Sequence, residues 1–231
     1  MKTAIVLAGG LGTRLRSITQ DVLPKPMVPV QEKPFLYWLF RYLHAQKITN
    51  IILAVSHRAE VITQYFENEW MGIQIQYSFE YVPMGTGGAI RQAMELTHDK
   101  QVFVINGDTY FPIHLSKLKD HHEDFGNDIT LAVKLLHSFD RYGTLSMDSR
   151  NRINAFHEKK FSDRGYINGG IYCINRATFI QNTPDTAFSI EKEVFEKQIK
   201  SLKIGGYKCK AGFIDIGIPE DYHAIQTKKL R

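Results

Sequence analysis

Residues 1–15 read MKTAIVLAGGLGTRL: an apolar run of strand length (TAIVLA, 3–8) breaks into Gly9, Gly10 and Gly12, and basic residues follow at Arg14 and Lys25. Similar runs recur in alternation with segments of helical period: PFLYWLFRYLHAQ (34–46), IILAVS (51–56), AEVITQYFENEW (59–70), IQIQYSF (73–79), GGAIRQAMELT (87–97) and QVFVIN (101–106). Taken as strand and helix in turn, this is βαβαβαβ. The alternation predicts an α/β fold of Rossmann-like type, with a mixed, mostly parallel central sheet and helices on both faces. Ligands in such sheets gather at the carboxyl ends of the strands, and the glycine loop stands at one of those ends.

The pattern changes after a further helix at LSKLKDHHEDF (115–125). ITLAVKLL (129–136), GTLSMD (143–148), RINAFHE (152–158), YINGGIYCIN (166–175) and GYKCKAGFID (206–215) read as strands, interleaved with a helix at SIEKEVFEKQIK (189–200). A last helix is expected from Pro219, where Glu220 and Asp221 follow and favour the positive end of the helix dipole. This half extends the sheet with mixed pairing. With no Pro/Ser-rich linker, charge block or internal repeat in view, a single domain over 1–231 is expected.

The chain has 231 residues, 43% hydrophobic and 12% aromatic, enough to bury a sizeable core. Its formal charge is +5, but the lysines and arginines are scattered rather than gathered into a stripe, so no nucleic-acid partner is expected. Cys173 and Cys209 lack CxxC spacing, which argues against a zinc site or a disulfide framework and fits a reducing cytoplasm. The apolar stretch before Gly9 is too short for a signal peptide, and no run approaches membrane-spanning length, so no membrane partner is expected.

The glycine loop fits neither of two familiar phosphate cradles. Reading G-x-G-x-x-G from Gly10 meets Leu15 where the third glycine should stand, and no G-K-[ST] is nearby. What remains is physical: Gly9, Gly10 and Gly12 allow positive φ and bring successive N–H groups toward an anion, while Arg14 and Lys25 supply cations. Lys25 lies between Pro24 and Pro26, on backbone with little freedom in φ. NGD (106–108) and HEKK (157–160) read alone as turns, with chemistry open.

LAGGLGTRL (7–15) followed by LPKPMVPV (23–30) resembles the paired N-terminal signature of the sugar-1-phosphate nucleotidylyltransferases. The resemblance continues in order through GTGGA (85–89), NGD (106–108), FHEKK (156–160), NGGIY (168–172) and FIDIGIPEDY (213–222). It implies attack of a sugar 1-phosphate on the α-phosphorus of a nucleoside triphosphate, with Mg²⁺ as cofactor. The short form, RYGT (141–144) and GTGGAI are most similar to members that transfer a guanylyl group from GTP to a heptose 1-phosphate.

Carried onto this sequence, the resemblance implies a nucleotide-binding half of about 1–110 and a sugar-phosphate-binding half of about 111–231. Arg14, Lys25 and Asp108 are the expected catalytic residues, Arg14 gripping the triphosphate with a guanidinium fork. Asp108 and Asp215 are the expected metal ligands; one or two carboxylates plus substrate phosphates commonly suffice for magnesium. Leu7, Ala8, Gly9, Gly10, Gly12, Thr13, Glu80, Gly85, Thr86, Gly87, Asn106 and Gly107 are expected at the nucleotide. Glu80 can accept from both N1–H and N2–H₂ of guanine, a donor pair that cytosine and uracil lack. Gly143, Glu158, Lys159, Asn168 and Gly169 are expected at the sugar phosphate.

Mannose-1-phosphate guanylyl transfer and another NDP-sugar pyrophosphorylase activity, with UTP, CTP or dTTP, are close alternatives. A glycosyltransferase would mark its metal site with D-x-D, whereas Asp108 is followed by Thr109 and Tyr110. A sensor without chemistry would have no need of Arg14, Lys25, Asp108 and Asp215 together. His121 and His122, adjacent on a polar helix, read as a solvated face, and Trp38, Phe40 and Tyr42 as helix core and rim. A homodimer is left open.

Overall fold

The computed structural model describes residues 2–10, 12, 15–19, 22–228 and 230, without the side chains of Arg16 and Ser17. The first half runs β1 (Thr3–Leu7), α1 (Arg16–Thr19), a 3₁₀ turn (Lys25–Met27), β2 (Pro29–Val30), β3 (Lys33–Pro34), α2 (Phe35–Ala45), β4 (Asn50–Val55), α3 (Ala59–Phe66), β5 (Glu69–Trp70), β6 (Ile73–Phe79), α4 (Gly85–Met94) and β7 (Gln101–Asn106). There follow β8 (Thr109–Tyr110), α5 (Leu115–Asp124), β9 (Ile129–Phe139), β10 (Thr144–Met147), β11 (Ile153–Phe156), β12 (Ser162–Asn175), α6 (Arg176–Gln181), a π-helix (Ile190–Glu196), β13 (Ile204–Cys209), β14 (Ile214–Asp215) and α7 (Pro219–Ile225).

Among the described residues, ten strands form the main sheet, with the path β11-β10-β12-β7-β1-β4-β6-β5, and with β9 pairing both β12 and β13. β7, β1, β4 and β6 are parallel neighbours, and the antiparallel β12 adds the mixed extension. β1 reads as an unbroken apolar run because the sheet is covered on both faces. Ala4 and Val6 face a core shared with α2, α3 and α5, while Ile5 faces one shared with α4, α6 and the π-helix.

β12 positions the site. Along one edge it pairs with β9, from Ser162↔Phe139 to Ile174↔Ile129, with the register shifting between Asn168 and Tyr172. Its other edge changes partner: Tyr166 and Ile167 pair with β10, whereas Ile171–Asn175 pair with β7. At the switch Gly170 has φ +72°, and a Cβ there would come within 2.8 Å of Asn106 Nδ2. The sheet therefore forks between β7 and β10.

The C-terminal helix braces the stretch that carries Lys25. The Tyr222 hydroxyl and Gln226 Nε2 both donate to Pro29 O, at 2.7 and 2.9 Å, and Gln31 N donates to Gln226 Oε1 at 3.0 Å.

Three local expectations change. The helix expected over 59–70 stops at Phe66, where Glu67 takes φ +50° and the chain turns into the β5–β6 hairpin; Trp70 meets the edges of Tyr37 and Phe40. GYKCKAGFID divides into β13, which joins the main sheet, and β14, which pairs with β8 in a separate ribbon. His122 is buried, not solvated: its ring nitrogens lie 3.0 Å from Thr130 Oγ1 and 3.0 Å from Asn175 Oδ1. Burial lowers the pKa of this imidazole. Cys173 and Cys209 are free thiols, and burial pushes Cys173 up to about 12. Among the described residues no helix is long and apolar enough to cross a membrane.

Candidate active site

Three charged groups from distant parts of the chain meet where β7 ends. The chain leaves β7 through Gly107, whose N–H donates to Leu7 O at 2.9 Å; a Cβ at Gly107 would lie 2.5 Å from that oxygen. Asp108 follows, and the β8–β14 ribbon pairs Thr109 with Asp215 in its register. Ile216 N donates to Asp108 O at 3.0 Å, so the two aspartates are neighbours by backbone pairing. Lys25 Nζ lies 2.5 Å from Asp108 Oδ2; the lysine side chain is 9% exposed and the aspartate 34%.

Asp215 is held above its ordinary carboxylate range, first by burial and then by the charge of Asp108. Lys25, the Tyr142 hydroxyl and Gly217 N–H oppose that shift. Tyr142 donates to Asp215 Oδ2 at 3.1 Å. Among the described residues the two carboxylates share the Lys25 ammonium, and hard oxygen donors with lone pairs to spare suit a divalent cation.

The glycine loop adjoins this cluster. Gly12 has φ +61°, and a Cβ there would press on Lys25 Cβ at 3.1 Å. A Cβ at Gly9 would meet Glu80 Oε1 at 2.6 Å, so the missing side chain is what admits the Glu80 carboxylate. Around Gly10, among the described residues, nothing stands within 4 Å of that position. Ser56 Oγ donates to Gly9 O at 2.5 Å, and Ala8 N donates to Ala54 O at 2.8 Å. Glu80 is half-buried, which raises its pKa, while Met84 N–H, 3.2 Å from Oε2, opposes the shift. Arg14 and Thr13 lie outside the described residues.

GTGGA opens α4, but its glycines answer to Phe188. Gly87 N donates to Phe188 O at 2.9 Å, the Phe188 ring occupies the space of a Gly87 side chain, and a Cβ at Gly85 would meet Phe188 O at 2.6 Å. The Thr86 hydroxyl is likewise committed: it donates to Glu191 Oε2 at 2.9 Å and accepts from Ile190 N at 3.1 Å.

A cleft of about 690 Å³ occupies the fork between β7 and β10. Asn106, Asp108 and Asp215 line it, as do Gly143, Glu158, Lys159 and Asn168. Gly143 is required by close packing, since a Cβ there would stand 2.6 Å from His157 O. Asn168 is oriented by donating to the Tyr172 hydroxyl at 2.9 Å and accepting from Gly170 N at 2.9 Å. Gly169 is turned away: it is buried under Phe111, and Gly170 lines the cleft instead. Tyr142, Arg141 and Glu191 also line it. Sequence reasoning missed these three, although Arg141 and Tyr142 adjoin Gly143 in RYGT. Arg141 is anchored by Asp221 at 2.6 Å.

A parallel sheet that gathers a glycine loop, a buried lysine and two aspartates beside a polar cleft is a nucleotide-binding α/β architecture. The model of the Nucleotidyl transferase family matches residues 3–231, and this chain belongs to that family. It is 46% identical over 226 residues to D-glycero-alpha-D-manno-heptose 1-phosphate guanylyltransferase of Aneurinibacillus thermoaerophilus, covering 97% of each chain. It is 34% identical over 223 residues to mannose-1-phosphate guanylyltransferase of Mycobacterium tuberculosis, covering 95% of this chain and 62% of that one. The crystal structure of HddC from Yersinia pseudotuberculosis complexed with GMP-PN is similar at a TM-score of 0.87 and 36% identity, covering 98% of each chain.

Proposed function

We infer that this chain transfers the guanylyl group of GTP to D-glycero-α-D-manno-heptose 1-phosphate, releasing pyrophosphate. The observation that carries this reading is the end-to-end match to a heptose guanylyltransferase, 97% of both chains, against 62% of the mannose enzyme's length. An oxygen of the sugar 1-phosphate forms a bond to the α-phosphorus of GTP as the bond to the β-phosphate oxygen breaks. No protein nucleophile is needed, so the chain's task is to bring two anions together and steady the charge.

Lys25 supplies a desolvated ammonium on a backbone braced by α7, and Arg14 acts on the triphosphate. Glu80, beside Gly9, accepts from guanine. Asn168, Glu158 and Lys159 serve the acceptor, the lysine toward its phosphate. Asp108 and Asp215 would hold Mg²⁺, which when bound supplies charge neutralisation to the phosphates. Cytoplasmic residence belongs to this reading and is supported by the two free thiols.

The test crosses four nucleoside triphosphates with a panel of sugar 1-phosphates in Mg²⁺ and follows pyrophosphate release. GTP with the heptose 1-phosphate is expected to give the highest kcat/KM. A higher value for mannose 1-phosphate, or for another base, overturns the corresponding half of the reading.

A further inference from the structure

The π-helix Ile190–Glu196 borders both regions of the site. From its first turn Glu191 lines the cleft, and Phe195, Glu196 and Ile199 line the same wall. The Glu191 carboxylate is fixed from one side only. Thr86 Oγ1 donates to Oε2 at 2.9 Å and Ser189 Oγ donates to the same Oε2 at 2.7 Å. Both hydroxyls are themselves oriented, because Thr86 accepts from Ile190 N at 3.1 Å and Ser189 from Lys192 N at 3.3 Å. With Oε2 occupied twice, Oε1 keeps its acceptor capacity, and among the described residues no cation pairs with Glu191. An unpaired carboxylate on a cleft wall repels phosphate and attracts hydroxyl donors. Its charge also helps to raise the pKa of Tyr172, after burial, which places it close to the phenol that receives Asn168.

We propose that Glu191 is a specificity-determining residue for the acceptor: Oε1 accepts a hydroxyl of the sugar ring or its side chain, and Thr86 and Ser189 are positioning residues that aim it. Resting on the sugar-1-phosphate reading, the proposal deepens it. Thr86 lies in the first turn of α4, so the contact ties the acceptor wall to the nucleotide side of the molecule.

The experiment measures KM for each substrate and kcat in Glu191→Ala, Glu191→Gln, Thr86→Val and Thr86→Ser, with calorimetric titration of the sugar 1-phosphate in parallel and thermal melting as a check of folding. Glu191→Ala is expected to raise KM for the sugar 1-phosphate about 10- to 100-fold, the range for a lost hydrogen bond to a charged acceptor. KM for GTP should move less than about threefold, within the scatter of a site without that contact. Glu191→Gln keeps the size and one acceptor oxygen and should show a smaller rise with unchanged melting. Thr86→Val should copy the alanine variant in direction, and Thr86→Ser should restore the wild-type value. An equal rise in KM for GTP, or unweakened titration by Glu191→Ala, overturns the proposal while leaving the guanylyl-transfer reading intact. A wild-type protein that binds no sugar 1-phosphate overturns both.

Discussion

Lys25 and Asp108 stand 83 positions apart in the chain and meet with Nζ 2.5 Å from Oδ2, one group on a 3₁₀ turn and the other just beyond a parallel strand. The pair joins the two sequence signals flanking the nucleotide side, and its geometry is what makes both residues testable. Asp108→Asn should lower turnover about a hundredfold or more, on the scale of roughly 3 to 4 kcal/mol for removing a charge-stabilising group. Arg14→Ala should do the same. Near-wild-type kcat for either variant, measured by pyrophosphate release, contradicts the assignment.

Asp215 carries the opposite signature. Its pKa is raised by burial and by Asp108, so the ionised side chain costs the folded state stability at neutral pH. Asp215→Asn should therefore raise Tm in the absence of divalent cations while abolishing most activity. Each ~1 kcal/mol of relief corresponds to about 2–4 °C in a chain of this size. Lys25→Met should lower Tm, and more so with Asp215 present than in the double variant. A Tm unchanged or lowered by Asp215→Asn without added metal would show that the two carboxylates do not oppose each other.

Guanine recognition should depend on pH through Glu80. Burial raises the pKa of this carboxyl, so it gains its proton at a higher pH than an ordinary glutamate as the solution is acidified. Only the ionised form accepts from both guanine donors, so KM for GTP should climb as pH falls through that raised pKa. Glu80→Gln should reduce the preference for GTP over ATP and flatten the profile. The measurement is KM for GTP between pH 5 and 8, and a Glu80→Gln variant with undiminished GTP preference would refute it.

His122 makes stability itself pH-dependent. Its folded pKa is lowered by burial, so the unfolded chain takes up the proton first. Stability contributed by the neutral ring is present above the unfolded value of about 6.5 and is lost as pH falls toward the folded value. His122→Gln should lower Tm at pH 8, and its deficit should shrink as pH drops from 7 to 5. A constant gap, read by thermal melting, would place the pH dependence elsewhere.

The parallel half was legible because burial on two faces leaves an unmistakable record: β1, β4 and β7 are near-continuous apolar runs, and the amphipathic α2 lies between two of them. β5, β8 and β14 were not, since two-residue ladders are set by distant partners rather than by local pattern. At the site, the glycine loop and Lys25 stood out by residue type, whereas Asp108 in NGD read alone as a turn and entered only through the family resemblance. The Asp108–Asp215 adjacency needed the β8–β14 ribbon. His122 was misread although it shares a helix face with the buried Leu115 and Leu118; what the helix alone does not show is the polar pair, Thr130 and Asn175 from two strands, that lets an imidazole sit there. Glu191 was hidden in SIEKEVFEKQIK for the same reason. A charged helix start looks solvated until Thr86, from another part of the chain, is placed against it.

The change of partner along β12 has an evolutionary consequence. The ladder to β9, interrupted where its register shifts, holds both regions of the site to one spine, while the β10–β11 hairpin meets that spine at Tyr166 and Ile167 and is bridged to β13 from Arg152 to Gly205. Insertions or exchanges in the hairpin can reshape the acceptor wall across a lineage without disturbing Lys25, Asp108 or Asp215. Under the proposed function, acceptor choice could then diverge through the hairpin while Lys25, Asp108 and Asp215 keep their places.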